Sequence, residues 1–146
     1  MGNLYDYFAA QDDETAAGTL EDSPDPNRFE VIDVKGIDPA VQLGTLEALL
    51  RGIAYAEVTA QPRHSMLISN PGAESRWVVT LTDTLRDALA DATAEQLVQV
   101  AVPWSHTEEF SGRGDADLLA DLLGRFADLA RNARARHDRL YCWMSL

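Results

Sequence analysis

Apolar residues run almost unbroken at both ends of this chain, LYDYFAA at 4–10 and RLYCWMSL at 139–146. Their aromatic and branched content favours strands. Each run must satisfy its backbone N–H and C=O groups against a neighbour, so the two are expected side by side in one sheet. Between them the rhythm changes. DDETAAGTLED reads as a helix start, with Asp12 or Asp13 as N-cap and acids in the first turn. EDSPDPN (21–27), with two prolines among acids, reads as an exposed loop. RFEVIDV (28–34) sets Phe29, Val31 and Asp33 against Glu30, Ile32 and Val34, the alternation of a strand or extended segment.

Helical spacing dominates from there. Asp38 and Pro39 open a helix whose stripe is Leu43, Leu46, Leu49 and Leu50, and Gly52 closes it as the left-handed terminator, with Ile53 packing back. SNPGAES (69–75) reads as a turn. In RWVVTLTDTLRDALADA (76–92) the spacing permits helix throughout, but RWVVT favours a strand to about Thr80. A helix then starts from Asp83, with Thr82 or Asp83 as its cap. Thr93 and Gln96 form a capping-box pattern for a further helix, which Pro103 is expected to end. The longest helix begins at Asp115, with Leu118, Leu119, Leu122, Phe126, Leu129 and Ala133 as its apolar face and Arg131, Arg134 and Arg136 at the negative end of its dipole.

These elements define an α+β class: one domain over residues 1–146, with a small mixed sheet that includes the N- and C-terminal strands and packs against several helices. At 46% hydrophobic and 25% charged residues the balance is that of a globular chain. No apolar run reaches the ~18 residues a membrane span needs. The first residues lack the basic and apolar regions of a secretory signal, and Asp6 stands where a myristoylation motif carries Ser or Thr. A cytoplasmic location is the expectation. Cys142 has no second cysteine to pair with and lies in an apolar run, so it is expected as a buried, unreactive thiol.

Charge is uneven. The chain carries −12 overall, and residues 1–40 alone hold ten acids against Arg28 and Lys35. An acidic body repels phosphate backbones, so nucleic acid is not an expected partner. The excess either serves solubility or docks a basic protein. Asp12, Asp13, Glu14, Glu21, Asp22 and Asp25 are the candidate partner-binding residues.

One stretch concentrates candidate chemistry. PWSHTEEFSGRGDADLL (103–119) holds Ser105, His106, Glu108 and Glu109 beside Trp104 and Phe110. Adjacent Ser and His do not make a nucleophile–base pair, because such groups converge from separate elements. His106 with the two glutamates departs from the H-E-x-x-H pattern and would need His64 or His137 to complete a metal site, so no metal is called for. The RGD at 113–115 reads as a turn followed by the Asp115 cap. With no P-loop and no dinucleotide-binding fingerprint, no cofactor is called for either. The aromatics Tyr5, Tyr7, Phe8, Trp77, Trp104 and Trp143 are expected in the core.

The order of MGNLYDYFAAQDDETA, VIDVKGIDPAVQLGTLEALLRG and TLTDTLRDALADA, then the Trp104 region, an amphipathic helix and a closing strand, resembles the YfbM-like family. These are small bacterial proteins formed by a domain of unknown function. Met1-Gly2, Tyr7-Phe8, Lys35, Leu50–Gly52 and Trp104 carry the resemblance, which would make this chain a distant, actinobacterial-type member. ARARHDRL replaces the basic, glycine-containing approach to the last strand that the family leads one to expect. The resemblance implies an α+β fold and brings no activity or catalytic residue. The sequence thus points first to a cytoplasmic protein acting by protein–protein contact through its acidic surface, as an immunity-type or accessory protein does. The alternative is a small hydrolase or metal-dependent enzyme with a cleft around residues 104–109.

Overall fold

The computed structural model describes residues 3–146; Met1 and Gly2, which carry part of the family resemblance and the start of the myristoylation motif, lie outside it. Its centre is a four-stranded sheet in the order β2–β1–β4–β3, with β1 Leu4–Ala10, β2 Val31–Lys35, β3 Arg76–Thr80 and β4 Arg139–Ser145. The terminal strands pair along their whole length, from Leu4 opposite Ser145 to Ala10 opposite Arg139. The sheet is antiparallel throughout rather than mixed. Helix α4 (Asp83–Asp91) follows β3; α5 (Ala94–Ser105) then leads away and α6 (Ala116–Ala135) returns. The chain therefore re-enters the sheet at the end where β3 left it. Leu81 N–H donates to Leu140 O there, and β4 has to run against β3.

The period of two in each strand decides which residues face which layer. On one face Tyr5, Tyr7, Ala9, Ile32, Val79, Leu140 and Cys142 pack under α4–α6 and α2 (Gln42–Arg51). Tyr7 and Phe126 meet edge to face with ring centres 5.0 Å apart. On the other face Phe8, Ala10, Val78, Tyr141 and Trp143 lie under α1 (Asp13–Ala17) and the segments around Leu20 and Phe29. Both faces being covered explains why the terminal strands read as continuous apolar runs rather than as alternations.

Capping chemistry sets the helix boundaries. Asp12 accepts from Thr15 N–H, Thr82 from Leu85 N–H, and Asp115 from Asp117 and Leu118 N–H; Thr93 and Gln96 close a capping box. Gly52 ends α2 at φ 65°, ψ 36°, a backbone conformation that costs most side chains 1–2 kcal/mol or so. Asp38 caps the turn leading into α2, accepting from Ala40 and Val41 N–H, so the regular helix opens only at Gln42. A short helix α3 (Tyr55–Thr59), without a capping side chain or an apolar stripe, is an addition to the sequence reading.

Four expectations are corrected. Pro103 does not end α5: the helix runs on to Ser105, because Trp104 is buried completely and its indole N–H donates to Gln42 O at 2.9 Å. The buried face of α6 is rotated from Leu118 and Leu122 towards Leu123, Ala127 and Ala130. Leu118 is 67% exposed and Leu122 only packs at the core's margin. In α2, Leu49 is 38% exposed while Gln42 and Glu47 are buried. Arg131 also has another role, donating to Ala90 O and Ala92 O at the end of α4 rather than serving its own helix end. No described helix is long and apolar enough to cross a membrane.

Leu123→Ala or Phe126→Ala should destabilise the protein by ~2–5 kcal/mol, the range for large-to-small changes in a packed core. Leu118→Ala should stay within ~0.5 kcal/mol, as exposed substitutions do. Urea denaturation checks both: the first two midpoints fall clearly, and the third holds.

Candidate functional site

The 103–119 connector is wound tightly around the end of α5. Ser105 is 3% exposed, and its hydroxyl donates to Val102 O at 2.7 Å. His106 is the exposed C-cap residue, and Glu108 and Glu109 stand in solvent on a single 3₁₀ turn (Glu108–Phe110). Phe110 packs edge-on against Trp104 at 5.2 Å. Gly114 passes so close to the Ser105 carbonyl that an added Cβ would lie 2.3 Å from its oxygen, so only glycine fits. Asp115 is the helix cap, which accounts for the RGD stretch.

The other histidines lie elsewhere. His64 packs beside Gly44 and edge-on to Tyr55, with ring centres 6.5 Å apart, and burial holds its pKa below the ordinary value. His137 adopts φ 61° just past α6. Among the described residues no three metal-capable side chains converge. Cys142 is fully buried, and burial pushes its thiol well above the usual range.

The six acids of the N-terminal third divide in two. Asp13 is engaged by other side chains. It forms a two-pronged ion pair with Arg63 at 2.9 and 3.0 Å and accepts from the Tyr141 hydroxyl at 2.7 Å. The Arg63 fork is the main reason its pKa falls to about 2. Asp13 is therefore already engaged within the fold, with its side chain still 39% exposed. Asp12, Glu14, Glu21, Asp22 and Asp25 remain exposed. Asp12 caps α1, Asp25 accepts from Asn27 N–H, and Glu21 meets Arg76 only at 3.4 Å. Glu14, Asp22 and Asp25 border a cavity of about 310 Å³ whose wall includes Thr19, Arg28 and Phe29. The exposed acids thus form a ridge beside a cavity that Arg28 also lines.

Sequence reasoning missed the most densely bonded carboxylate. Glu47 is 1% exposed and accepts from Thr84 at 2.7 Å, Arg51 at 2.7 Å, Gln61 at 3.0 Å and also Thr82. Burial alone would raise its pKa, but these four donors outweigh it and hold the carboxylate ionised below its ordinary value. Glu47 thus ties α2 to the loop after α3 and to the cap of α4. The available signal was its register, since a charged residue stands in line with Leu43, Leu46 and Leu50 on the buried side of a helix.

Comparison of the chain with protein-family models, curated proteins and solved structures finds no match. The site is therefore read from its own geometry.

Glu47→Ala should cost ~3–5 kcal/mol, because Arg51 and three further donors lose a buried charged partner. Asp13 adds an acid-limb effect. Its folded pKa is depressed from 3.8 to about 2, so its contribution is present above pH 4 and is lost as pH falls from 3.8 towards 2. Denaturation midpoints of Asp13→Asn should accordingly vary less than wild type across that window.

Proposed function

We propose that this protein is a cytoplasmic binding protein, of immunity or accessory type, that captures a basic partner protein through the ridge formed by Asp12, Glu14, Glu21, Asp22 and Asp25. One observation carries the reading: where cations are spent. Among the described residues, Arg51, Arg63, Arg76, Arg86, Arg131, Arg134, Arg136 and Arg139 are all engaged in ion pairs. Among the described residues the ridge's only ion pair is Arg76 with Glu21; Arg28 lines the same cavity but stacks over the Phe29 ring. The ridge's negative charge is left to attract and orient a lysine- or arginine-rich surface, and the cavity between Glu14, Asp22 and Asp25 can seat one cationic side chain. The further proposal that the chain is a distant relative of the YfbM-like proteins rests on the residues that carry the resemblance, Tyr7-Phe8, Lys35, Leu50–Gly52 and Trp104. The 104–109 stretch is less suited to catalysis, since the Ser105 proton is committed to Val102 O and, among the described residues, His106 joins no cluster of metal-capable side chains.

The test uses the partner captured from the native cell and purified. Reversal of Glu14, Asp22 and Asp25 to Lys should slow its association about tenfold at low ionic strength, with a smaller difference at physiological salt, where exposed charges are screened beyond ~8 Å. His106→Ala and Glu108→Ala should leave association unchanged. Unaltered rates in the triple variant, or stoichiometric metal in the purified protein that His106→Ala removes, would overturn the reading.

A further inference from the structure

Asp6 and Asp33 stand directly opposite each other in the antiparallel ladder of β1 and β2. They lie on the sheet face that carries Phe8 and Trp143, Asp6 partly buried and Asp33 exposed. Directly opposed residues hold their Cβ atoms ~4.5–5.5 Å apart, and like charges there destabilise the pair. Among the described residues no cation forms an ion pair with either. On β2 their same-face neighbours are Val31 and Lys35, and Lys35 enters no ion pair among the described residues. On β1 the neighbours are Leu4 and Phe8. On β4 Trp143 lies opposite Asp6, flanked by Tyr141 and Ser145, and Ser145 in turn lies opposite Arg76 of β3, which is bonded to Glu21. From the covering segments come the Leu20 carbonyl, bonded to the Trp143 indole, and Phe29 with Arg28 over its ring. Beneath the sheet, Tyr7 and Cys142 are both held protonated by burial and carry no charge.

We propose that the Asp6–Asp33 pair is a proton-operated latch on strand β2: one proton shared between the two carboxyls fastens the strand, and its loss sets two carboxylates pushing β2 away from β1. β2 is the strand such a device controls best. It has β1 on one side and, among the described residues, no strand on the other, whereas the outer side of β3 is covered by bonds to Met66 and Ile68. Burial first, and then the Asp33 charge and hydrogen bond, raise the Asp6 pKa from 3.8 to about 6. A carboxyl raised in the folded state binds more protons there than in the unfolded chain. Its stabilisation is therefore present at low pH and lost as pH rises through 6. His64 runs the other way: its lowered pKa favours the fold as pH rises. Global unfolding mixes the two, whereas local opening of β2 separates them.

The experiment is a carboxyl-carbon NMR titration of the full chain, together with amide hydrogen exchange at pH 5 and pH 8 corrected for the intrinsic rate. In the native protein Asp6 should titrate near pH 6, and protection of the Ile32–Val34 amides should fall about tenfold relative to those of β4, given that one pKa unit corresponds to a factor of ten. In Asp33→Asn the Asp6 midpoint should drop towards the ordinary carboxylate range, and in Asp6→Asn the β2 protection should stop depending on pH. An Asp6 midpoint near 4 in the native protein overturns the latch even if neither variant folds. So does pH-dependent β2 protection that persists in Asp6→Asn.

Discussion

Everything in this fold hangs on the pairing of the first strand with the last. β1 and β4 occupy the two central places in the sheet, and every other element packs on them, pairs with them or connects them. Strands about 130 residues apart in sequence close a long loop, and its entropic cost falls due before most of the core can form. What offsets that cost is burial on both faces: Tyr7 and Cys142 on one side, Phe8, Tyr141 and Trp143 on the other, all 8% exposed or less. The hydroxyl and indole groups of this layer are satisfied as well. Tyr7 donates to Ile37 O, Tyr141 to Asp13 and Trp143 to Leu20 O, so each aromatic also pins one of the segments that cover the sheet.

The elements legible in the sequence are those whose signal is local. The terminal strands, the Asp12, Thr82 and Asp115 caps, the Thr93–Gln96 box and the Gly52 terminator depend on a residue and its near neighbours, and they appear where expected. The misplacements are tertiary in origin. Pro103 removes one helical hydrogen bond, but the bond between Trp104 and Gln42 holds the turn beyond it. The face that α6 buries is chosen chiefly by α4 and α5, and a stripe of leucines spanning two adjacent faces does not say which will be covered.

The polar sites follow the same rule. That Asp12 caps a helix is readable from its neighbours. That Asp13 is paired is not, because Arg63 comes to it from fifty residues away. Glu47 looked like an ordinary helical glutamate, and its donors Gln61, Thr82 and Thr84 come from segments joined to α2 only by folding. Of the candidate site, the charge excess of the N-terminal third was therefore visible, whereas which acids remain available was decided by where the arginines fall.

Zero-length carbodiimide cross-linking of the protein to its captured partner tests the central claim most directly, because it joins a carboxylate to an amine only where the two touch. Glu14, Asp22 or Asp25 should cross-link to partner lysines, with Asp13 and Glu47 unmodified. Cross-links confined to Glu108, Glu109 or the acids of α6, with the ridge unlinked, would contradict it.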